Sequence, residues 1–245
     1  MELVGKIAIV TGATGKLGVR IAAYLADRGV RCVCHYFSNA EKAERLVEGI
    51  RNDGGQAWAV QGDLSDLGSI PEFFAKCREF GRVEILVNSA SVFERAAVEE
   101  ITAKKCIETV SLNLCGPLLL CGEFAKALRE EGSGNRGVKG KIINISDVAG
   151  ERGWVEYSLY CGCKAGLNNI TRSLAKELAP EICVNAVAAG VVEGGFEPEE
   201  MQRQMKMVPL KRAGKAEEIC HGIGALLEND YITGEILRVD GGRGI

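Results

Sequence analysis

The sequence lacks the features that mark membrane, secreted and nucleic-acid-binding proteins. It has no run of about eighteen uncharged apolar residues, so no membrane-spanning helix is expected. The N-terminus, MELVGK, leads into a strand without the basic segment and apolar stretch of a signal peptide, which predicts a cytoplasmic protein. The formal net charge is -3 and basic runs are absent, so neither nucleic acid nor a membrane surface is an expected partner. These observations favour small-molecule chemistry.

Histidine is also scarce, with two residues in 245, whereas there are ten cysteines. Two close pairs, Cys32/Cys34 and Cys161/Cys163, have C-x-C spacing rather than C-x-x-C, and the other six cysteines occur singly. No zinc-binding spacing is met, and we expect no metal site. Most cysteines are expected to be small buried residues that stay reduced.

Short apolar runs alternate with amphipathic stretches along the whole chain. The predicted strands are Lys6–Thr11, Arg31–Tyr36, Gln56–Gln61, Glu84–Asn88, Lys141–Ser146, Ile182–Ala188 and Glu235–Asp240. The predicted helices include Lys16–Arg28, Ala40–Asp53, Ser69–Phe80 and Tyr157–Ala179, and 131–140 is predicted to be a surface loop. Strands that alternate with helices predict a doubly wound α/β fold with a parallel sheet. The length and the 47% hydrophobic content fit one domain over 1–245.

The first predicted strand ends in a glycine-rich turn, Thr11-Gly-Ala-Thr-Gly-Lys-Leu-Gly18. Glycines at a strand-to-helix turn let the backbone approach a pyrophosphate, which the N–H groups and dipole at the helix N-terminus attract. Such a turn alone also serves any tight connection. Here a strand precedes it, a helix follows, and a second strand ends about twenty residues further on, as in a dinucleotide site.

The end of the second strand favours NADPH over NADH. NAD sites place an acid there for the ribose 2′-hydroxyl, whereas a 2′-phosphate needs donors and no nearby carboxylate. The chain continues as His35-Tyr-Phe-Ser38, no acid occurs before Glu41, and Lys16 supplies a cation in the turn. The alternative role for His35 and Tyr36 is ordinary packing at a strand end.

The third strand closes with Gly62-Asp63-Leu64. Asp63 is a candidate acceptor for the adenine amino group. It is equally suited to be the N-cap of the next helix. The sequence leaves both roles open.

A tyrosine, a lysine and a carboxylate form the candidate catalytic group. Tyr160-x-x-x-Lys164 places a phenol and an ammonium on one helix face, where the cation can stabilise phenolate and lower the tyrosine pKa. Asp147 lies thirteen residues upstream, where a carbonyl-reducing enzyme would place a hydroxyl. A tyrosine and a lysine at this spacing also arise by chance on solvated helix faces.

With these pieces in order, the chain resembles the short-chain dehydrogenase/reductase family over essentially its whole length. The resemblance implies a three-layer Rossmann fold around a seven-stranded parallel sheet, and usually a homotetramer built on the long helices that begin near Asn113 and Tyr157. It also implies a catalytic group of Asn113, Tyr160, Lys164 and a serine, whose position here is Asp147. Further matching segments are Leu86-Val-Asn88-Ser-Ala90, Val184-Asn-Ala-Val-Ala-Ala-Gly190 and Ile232-Thr-Gly-x-x-x-x-Val239-Asp-Gly-Gly242.

Three departures from the family pattern resemble pteridine reductases. Lys16 replaces the middle glycine of the family's turn, where those enzymes have a basic residue. Asn88-Ser-Ala-Ser-Val-Phe93 resembles their N-N-A-S-S-F, whose serine and phenylalanine hold the pterin, and this implies Ser91 and Phe93 as substrate residues. Asp147 replaces the serine, as it does there. Cys34–Ser38 resembles their H-Y-x-x-S, and Ile143–Gly153 resembles bacterial dihydromonapterin reductases.

Elementary chemistry favours the same substrate class. Reduction of a ketone builds negative charge on oxygen, which a carboxylate beside Tyr160 would repel. Reduction of a C=N bond needs a proton at nitrogen, and Asp147 would support positive charge there and relay protons to the phenol. Phe93 can stack on a flat heterocycle. The alternatives are that Ser146 does this work while Asp147 points to solvent, and that Phe93 is core packing.

The sequence therefore predicts NADPH-dependent reduction of a pterin-type C=N bond, from a dihydropterin or dihydrofolate to the tetrahydro form. Tyr160 would donate the proton, Lys164 would bind the nicotinamide ribose, Asn113 would hold a water, and Glu193–Val208 would close over the site. The alternatives are a carbonyl reductase of the 3-oxoacyl-carrier-protein type and a non-catalytic NADPH-sensing protein. The expected cofactor residues are Gly12, Lys16, Leu17, Gly18, His35, Tyr36, Ser38, Asp63, Leu64, Asn88, Ala90, Lys164 and Gly190, and the expected substrate residues are Ser91, Phe93, Asp147 and Tyr160.

Overall fold

Seven parallel strands form one sheet in the computed structural model, which describes residues 1–130 and 137–245. The strands are β1 (Ile7–Val10), β2 (Arg31–Tyr36), β3 (Ala57–Gln61), β4 (Val83–Asn88), β5 (Gly140–Asp147), β6 (Ile182–Ala189) and β7 (Ile236–Val239). Their order is β3-β2-β1-β4-β5-β6-β7, and every neighbouring pair is parallel. The predicted doubly wound fold with a seven-stranded parallel sheet is confirmed.

Helices cover both faces of this sheet. They are α1 (Lys16–Ala26), α2 (Ala40–Asn52), α3 (Ile70–Arg78), α4 (Ala103–Val110), α5 (Gly116–Glu130), α6 (Ser158–Leu178), α7 (Pro198–Lys206) and α8 (Ala216–Glu228). Along β1, Ala8 and Val10 belong to one core with α1, α2 and α8, whereas Ile7 and Ile9 belong to another with α3, α5 and α6. Because β1 is buried on both faces, it is apolar throughout instead of alternating with polar residues.

The predicted elements agree closely with the structure. Strand ends differ by at most one residue and the four predicted helices by at most two. Asn113 lies in a π-helical segment, Ser111–Cys115, between α4 and α5. Of the loop predicted over 131–140, residues 131–136 lie outside the described part of the chain.

The strand order places a crevice between β1 and β4. The chain winds from β1 toward β2 and β3 on one side, and β4 to β7 follow on the other side. Ligands of doubly wound sheets bind outside the carboxyl ends of the strands where the winding reverses. The glycine-rich turn follows β1 and the loop that begins at Ser89 follows β4, so both border this crevice.

A chain of buried polar side chains crosses the core beneath this edge. Asn88 Nδ2 donates to Asn144 Oδ1 at 2.8 Å, and Asn144 Nδ2 donates to Thr171 Oγ1 at 2.9 Å. Asn88 and Asn144 are directly paired in β4 and β5, and Thr171 lies on α6. These bonds therefore join two strands and a helix below the crevice.

Candidate active site

The glycine-rich turn packs tightly against the loop after β4. Gly12 has φ +63°, and a Cβ atom on it would lie 2.8 Å from the Ala90 Cα. A Cβ atom on Gly18 would lie 2.1 Å from the Gly12 carbonyl oxygen. Thr11, which the sequence did not single out, holds the two segments together, since its Oγ1 accepts the N–H groups of Ser89 at 2.8 Å and Ala90 at 3.0 Å. The turn thus has the close backbone packing that pyrophosphate binding requires.

His35 supports this turn from inside the protein. Its buried ring accepts the Gly12 N–H at Nδ1, at 2.9 Å, and its Nε2 lies 3.1 Å from the Gly62 carbonyl oxygen. A ring that accepts at one nitrogen and donates at the other is neutral. Burial lowers the pKa of His35 to about 4. His35 therefore supports the glycine-rich turn through Gly12, and both of its ring nitrogens are already used.

The other residues expected near adenosine lie at the carboxyl ends of β2 and β3. Tyr36 is half-buried and Ser38 is exposed at the turn into α2. Asp63 Oδ1 accepts from the Ser65 hydroxyl at 2.6 Å and from its N–H at 2.9 Å, and the hydroxyl bond is the main cause of a lowered Asp63 pKa. The N-cap of the next helical turn is Asp66, so the N-cap alternative for Asp63 is wrong.

Lys16 lies on the exposed side of the glycine-rich turn. Its Nζ donates to the carbonyl oxygen of Gly194. Gly194 belongs to the segment 193–208, which contains α7 and is predicted to close over the site. The ammonium therefore connects the glycine-rich turn to that segment. The remaining predicted cofactor residues, Leu17, Leu64, Asn88, Ala90 and Gly190, all lie at or next to the carboxyl edge of the sheet.

The structure brings Asp147, Tyr160 and Lys164 together. Asp147 ends β5, and its Oδ2 accepts from the Tyr160 hydroxyl at 3.0 Å while its Oδ1 accepts from the Ala149 N–H at 2.7 Å. Lys164 Nζ donates to the Ile145 carbonyl oxygen at 2.8 Å and lies 5.5 Å from the Tyr160 ring centroid. Tyr160 and Lys164, one turn apart on α6, thus both contact β5.

Ser146 does not share this environment. It is buried, and its hydroxyl donates to Asn168 Oδ1 at 2.5 Å. Neighbouring residues of a strand point to opposite faces, so Ser146 and Asp147 diverge. The alternative in which Ser146 takes the place of Asp147 beside Tyr160 is therefore wrong.

Burial and charge set the protonation of this group. Burial raises the pKa of Asp147 to about 6, against the opposing effects of the Ala149 N–H and the Lys164 ammonium. Burial, followed by the charge of Asp147, raises the pKa of Tyr160 well above its usual range. Burial lowers the pKa of Lys164 to about 8. The expectation that Lys164 lowers the Tyr160 pKa is wrong in this structure, because burial and the adjacent carboxylate dominate and the ammonium donates to Ile145 instead.

Asn113 lies in the π-helical segment and holds the loop after β4. Its Oδ1 accepts the Val92 N–H at 2.9 Å and the Ser91 hydroxyl at 3.2 Å, and its Nδ2 donates to the Val92 carbonyl oxygen at 2.8 Å. The side-chain amide, which was expected to hold a water near Lys164, is bonded to this loop. It therefore positions Ser91 and the neighbouring Phe93, a role that the sequence did not indicate.

Phe93 lies among four other aromatic rings on one side of the site. It stacks on Tyr157, with ring centroids 4.6 Å apart and planes 12° apart. The Tyr160, Phe196 and Trp154 rings meet it edge-on, at 4.8, 5.7 and 6.4 Å. Phe93 is 38% exposed, so the core-packing alternative is wrong. These five residues, Phe93, Trp154, Tyr157, Tyr160 and Phe196, are termed the aromatic cluster.

Three members of the aromatic cluster were not predicted as site residues. Tyr157 precedes Tyr160 by three residues, about one helical turn, and this spacing is a signal that places the two rings on one side. Phe196 lies in the segment 193–208 that was expected over the site. Trp154 lies in an irregular loop, where no periodicity indicates its direction.

No three His, Cys, Asp or Glu side chains in residues 1–130 and 137–245 are grouped so that they could hold a metal ion. Over the same ranges, no helix is long and apolar enough to cross a membrane. All ten cysteines are free, and eight are buried. Burial raises the thiol pKa of Cys34 and Cys121 to about 12, which makes them unreactive.

Several known oxidoreductases are similar to this chain. The family described as short chain dehydrogenase matches residues 6–204. An uncharacterized oxidoreductase of Methylorubrum extorquens is 38% identical over 98% of both chains, and a 3-oxoacyl-[acyl-carrier-protein] reductase of Synechocystis sp. is 31% identical over 98% of this chain and 97% of its own. The crystal structure of FolM alternative dihydrofolate reductase 1 from Brucella canis, complexed with NADP, is similar with a TM-score of 0.90 and 29% identity, over 99% of this chain and 95% of that one.

Proposed function

Because the chain belongs to the short-chain dehydrogenase/reductase family, we propose that it is an NADPH-dependent reductase of a pterin-type C=N bond. The substrate is a dihydropterin or a dihydrofolate, which goes to its tetrahydro form. The observation that carries the proposal is the hydrogen bond from the Tyr160 hydroxyl to the Asp147 carboxylate, at 3.0 Å, next to the aromatic cluster. A carboxylate there suits protonation of a ring nitrogen better than stabilisation of an oxyanion.

The turn between β1 and α1 fits a dinucleotide. Gly12 and Gly18 leave no room for side chains, and α1 begins within the turn, so its first N–H groups and its dipole favour a pyrophosphate. Lys16, Tyr36 and Ser38 are the residues we propose for the ribose phosphate. NADPH, when bound, supplies the hydride.

The residues of the chain supply the proton. The Tyr160 phenol is protonated at neutral pH, because burial and the charge of Asp147 raise its pKa, and it gives this proton to the ring nitrogen directly or through a water. Asp147 stabilises the positive charge that the nitrogen acquires. With a pKa near 6, Asp147 also titrates close to neutral pH and can relay a proton to the phenolate. Lys164, one turn away, is proposed to bind the nicotinamide ribose.

The aromatic cluster suits a flat heterocycle. Phe93 offers an exposed ring whose centroid lies 4.8 Å from that of Tyr160, so a planar substrate that contacts Phe93 lies beside the proton donor. Ser91 is exposed in the same loop. The similarity to FolM alternative dihydrofolate reductase 1 supports the same substrate class.

A 3-oxoacyl-carrier-protein reductase is the second candidate, on the ground of the Synechocystis relative. Such an enzyme shares the cofactor motifs. The negative charge of Asp147 argues against it, because a carboxylate beside Tyr160 repels the charge that builds on a ketone oxygen. A flexible acyl chain also gains little from stacked rings.

Oxidation of NADPH, measured side by side with a dihydropterin, dihydrofolate and an acetoacetyl thioester, tests the proposal. We expect kcat/KM for the better heterocycle to exceed that for the thioester by roughly 100-fold, the usual contribution of one acid–base group. A thioester that is the better substrate would establish the second candidate. Absence of turnover with these and every other substrate would favour a non-catalytic NADPH-sensing protein.

Cofactor preference is a separate prediction. With no acid at the end of β2 and with Lys16 in the turn, NADPH should exceed NADH in kcat/KM by at least ~10-fold, the worth of one charge-assisted phosphate contact of ~1.4 kcal/mol. Lys16→Ala should raise KM for NADPH and leave KM for NADH nearly unchanged. Lys104→Ala, which removes an exposed ammonium from α4, should alter neither. Equal use of both cofactors by the wild type would contradict the prediction.

A further inference from the structure

Arg243 brings a positive charge to the aromatic cluster. Its guanidinium carbon lies 5.7 Å from the centroid of the Trp154 ring, within cation–π range. Trp154 in turn meets Phe93 edge-on, at 6.4 Å between centroids. The charge of Arg243 also reaches Asp147, whose pKa it lowers. The guanidinium therefore lies close to both the aromatic cluster and the Asp147 carboxylate that accepts from the proposed proton donor.

This guanidinium has few partners. Its Nε is buried without a hydrogen bond, and its Nη2 makes one long bond, of 3.3 Å, to Gln204 Oε1. In the described ranges, 1–130 and 137–245, no carboxylate forms an ion pair with Arg243. A buried N–H group without an acceptor costs free energy, so a ligand that supplied an acceptor would be favoured.

The neighbours of Arg243 hold it in place. The backbone N–H groups of the two adjacent glycines donate to the Asp240 carboxylate, at 2.9 and 2.7 Å. Gln204, on α7, donates from Nε2 to Glu200 at 2.7 Å, which turns its carbonyl oxygen toward Arg243. A cation held from both sides loses little freedom on binding a ligand.

We propose that Arg243 binds a carboxylate of the substrate and thereby makes the enzyme prefer a folate to a neutral pterin, an inference that rests on the proposed function. Folates carry a glutamate whose carboxylates are ionised at neutral pH, whereas pterins with hydroxylated side chains are neutral. A guanidinium matches a carboxylate with two parallel hydrogen bonds. The p-aminobenzoyl group between the pterin and the glutamate is flat, and Trp154 offers a ring on which it stacks.

If Arg243 acted only by lowering the pKa of Asp147, and not by binding a carboxylate, its loss would have a different effect. Loss of the positive charge would then raise the pKa of Asp147 further and move the pH dependence of turnover upward. Folate-like and pterin-like substrates would be affected equally, because both need the same proton transfer. A carboxylate contact affects only the ligand that carries the carboxylate.

Calorimetric titration of the protein with folate and with 6-hydroxymethylpterin, both in the presence of NADP⁺, separates the two roles. NADP⁺ has no hydride to give, so neither ligand is consumed. Arg243→Gln should raise Kd for folate at least ~10-fold and change Kd for the pterin less than about twofold, with Arg243→Lys between. Added salt should weaken folate binding by the wild type more than by Arg243→Gln. Arg20→Gln, which removes an exposed guanidinium from α1, should alter neither Kd.

An equal loss for both ligands, an unchanged folate Kd in Arg243→Gln, or a wild type that does not bind folate would overturn the assignment. Steady-state kinetics separate this outcome from a failure of the proposed function. If the wild type binds folate through Arg243 but oxidises NADPH with no dihydro-heterocycle, the proposed function fails and the carboxylate site stands. If Arg243→Gln reduces dihydrofolate with the wild-type KM, the site fails and the function stands.

Discussion

The Tyr160→Phe variant is expected to lose at least two orders of magnitude in kcat while it binds NADPH as tightly as the wild type, because the phenol acts only as the hydride moves. The substitution keeps the ring that meets Phe93 edge-on and removes only the hydroxyl that donates to Asp147. The measurements are kcat with dihydrofolate or a dihydropterin, under conditions where chemistry limits the rate, and a fluorescence titration with NADPH.

Tyr231→Phe is the matched control, since Tyr231 is fully exposed and its loss of a hydroxyl should leave kcat unchanged. If Tyr160→Phe retains more than about a tenth of the wild-type rate, another group is the proton donor. Asp147 would then be the first to examine, because it is bonded to Tyr160 and its pKa is raised to about 6.

The Asp147→Ser variant should reduce heterocycle turnover by about 100-fold, the loss typical of an acid–base participant. The same change should raise, or at least not lower, any weak activity on simple ketones, because a hydroxyl replaces a charge that repels an oxyanion. The kcat/KM of the wild type should also depend on pH with a pKa near 6, which is that of the Asp147 carboxyl. The Asp147→Ser variant should lack this pH dependence. The measurement is kcat/KM for both substrate types across pH 5 to 8.

Ser146→Ala provides the control one residue earlier on β5. The substitution breaks the buried hydrogen bond to Asn168 and should lower the free energy of unfolding by ~1 kcal/mol. It should leave turnover unchanged, because the Ser146 side chain points away from Tyr160. Unchanged heterocycle turnover in Asp147→Ser, together with a thioester ketone as the better wild-type substrate, would show that the carbonyl-reductase candidate is correct.

The elements of the fold were predictable because each is encoded locally. The limits of β2, Arg31–Tyr36, follow from one short apolar run between two amphipathic stretches. The meeting of Asp147 with Tyr160 was indicated by their thirteen-residue spacing on the consecutive elements β5 and α6. Ser146 also contacts α6, but at Asn168, about two turns beyond Tyr160. Phe93 was expected near the site because Asn88–Phe93 resembles the N-N-A-S-S-F segment of pteridine reductases.

Contacts between loops that are distant in the chain were not predictable. Arg243 meets Trp154, and Asn113 bonds to Val92, only because irregular segments fold over the same sheet edge. No periodic pattern in the sequence predicts contacts of this kind. The sequence places Tyr160 near Lys164 but contains no sign that Lys164 donates to a β5 carbonyl. Protonation depends on burial, which follows from the complete packing of the site.

The buried amides of Asn88 and Asn144 make the sheet intolerant of a slipped strand pairing. A slip of one residue would turn the side chains of one strand to its opposite face and separate the two amides, at ~1–3 kcal/mol for each polar group left unpaired. The apolar residues of β4 and β5 do not themselves distinguish the registers, because both faces of these strands are buried. The two amides therefore fix how far β5 extends past the end of β4, and with it where Asp147 lies relative to the loop that carries Phe93, so errors of alignment during folding are penalised directly beneath the site.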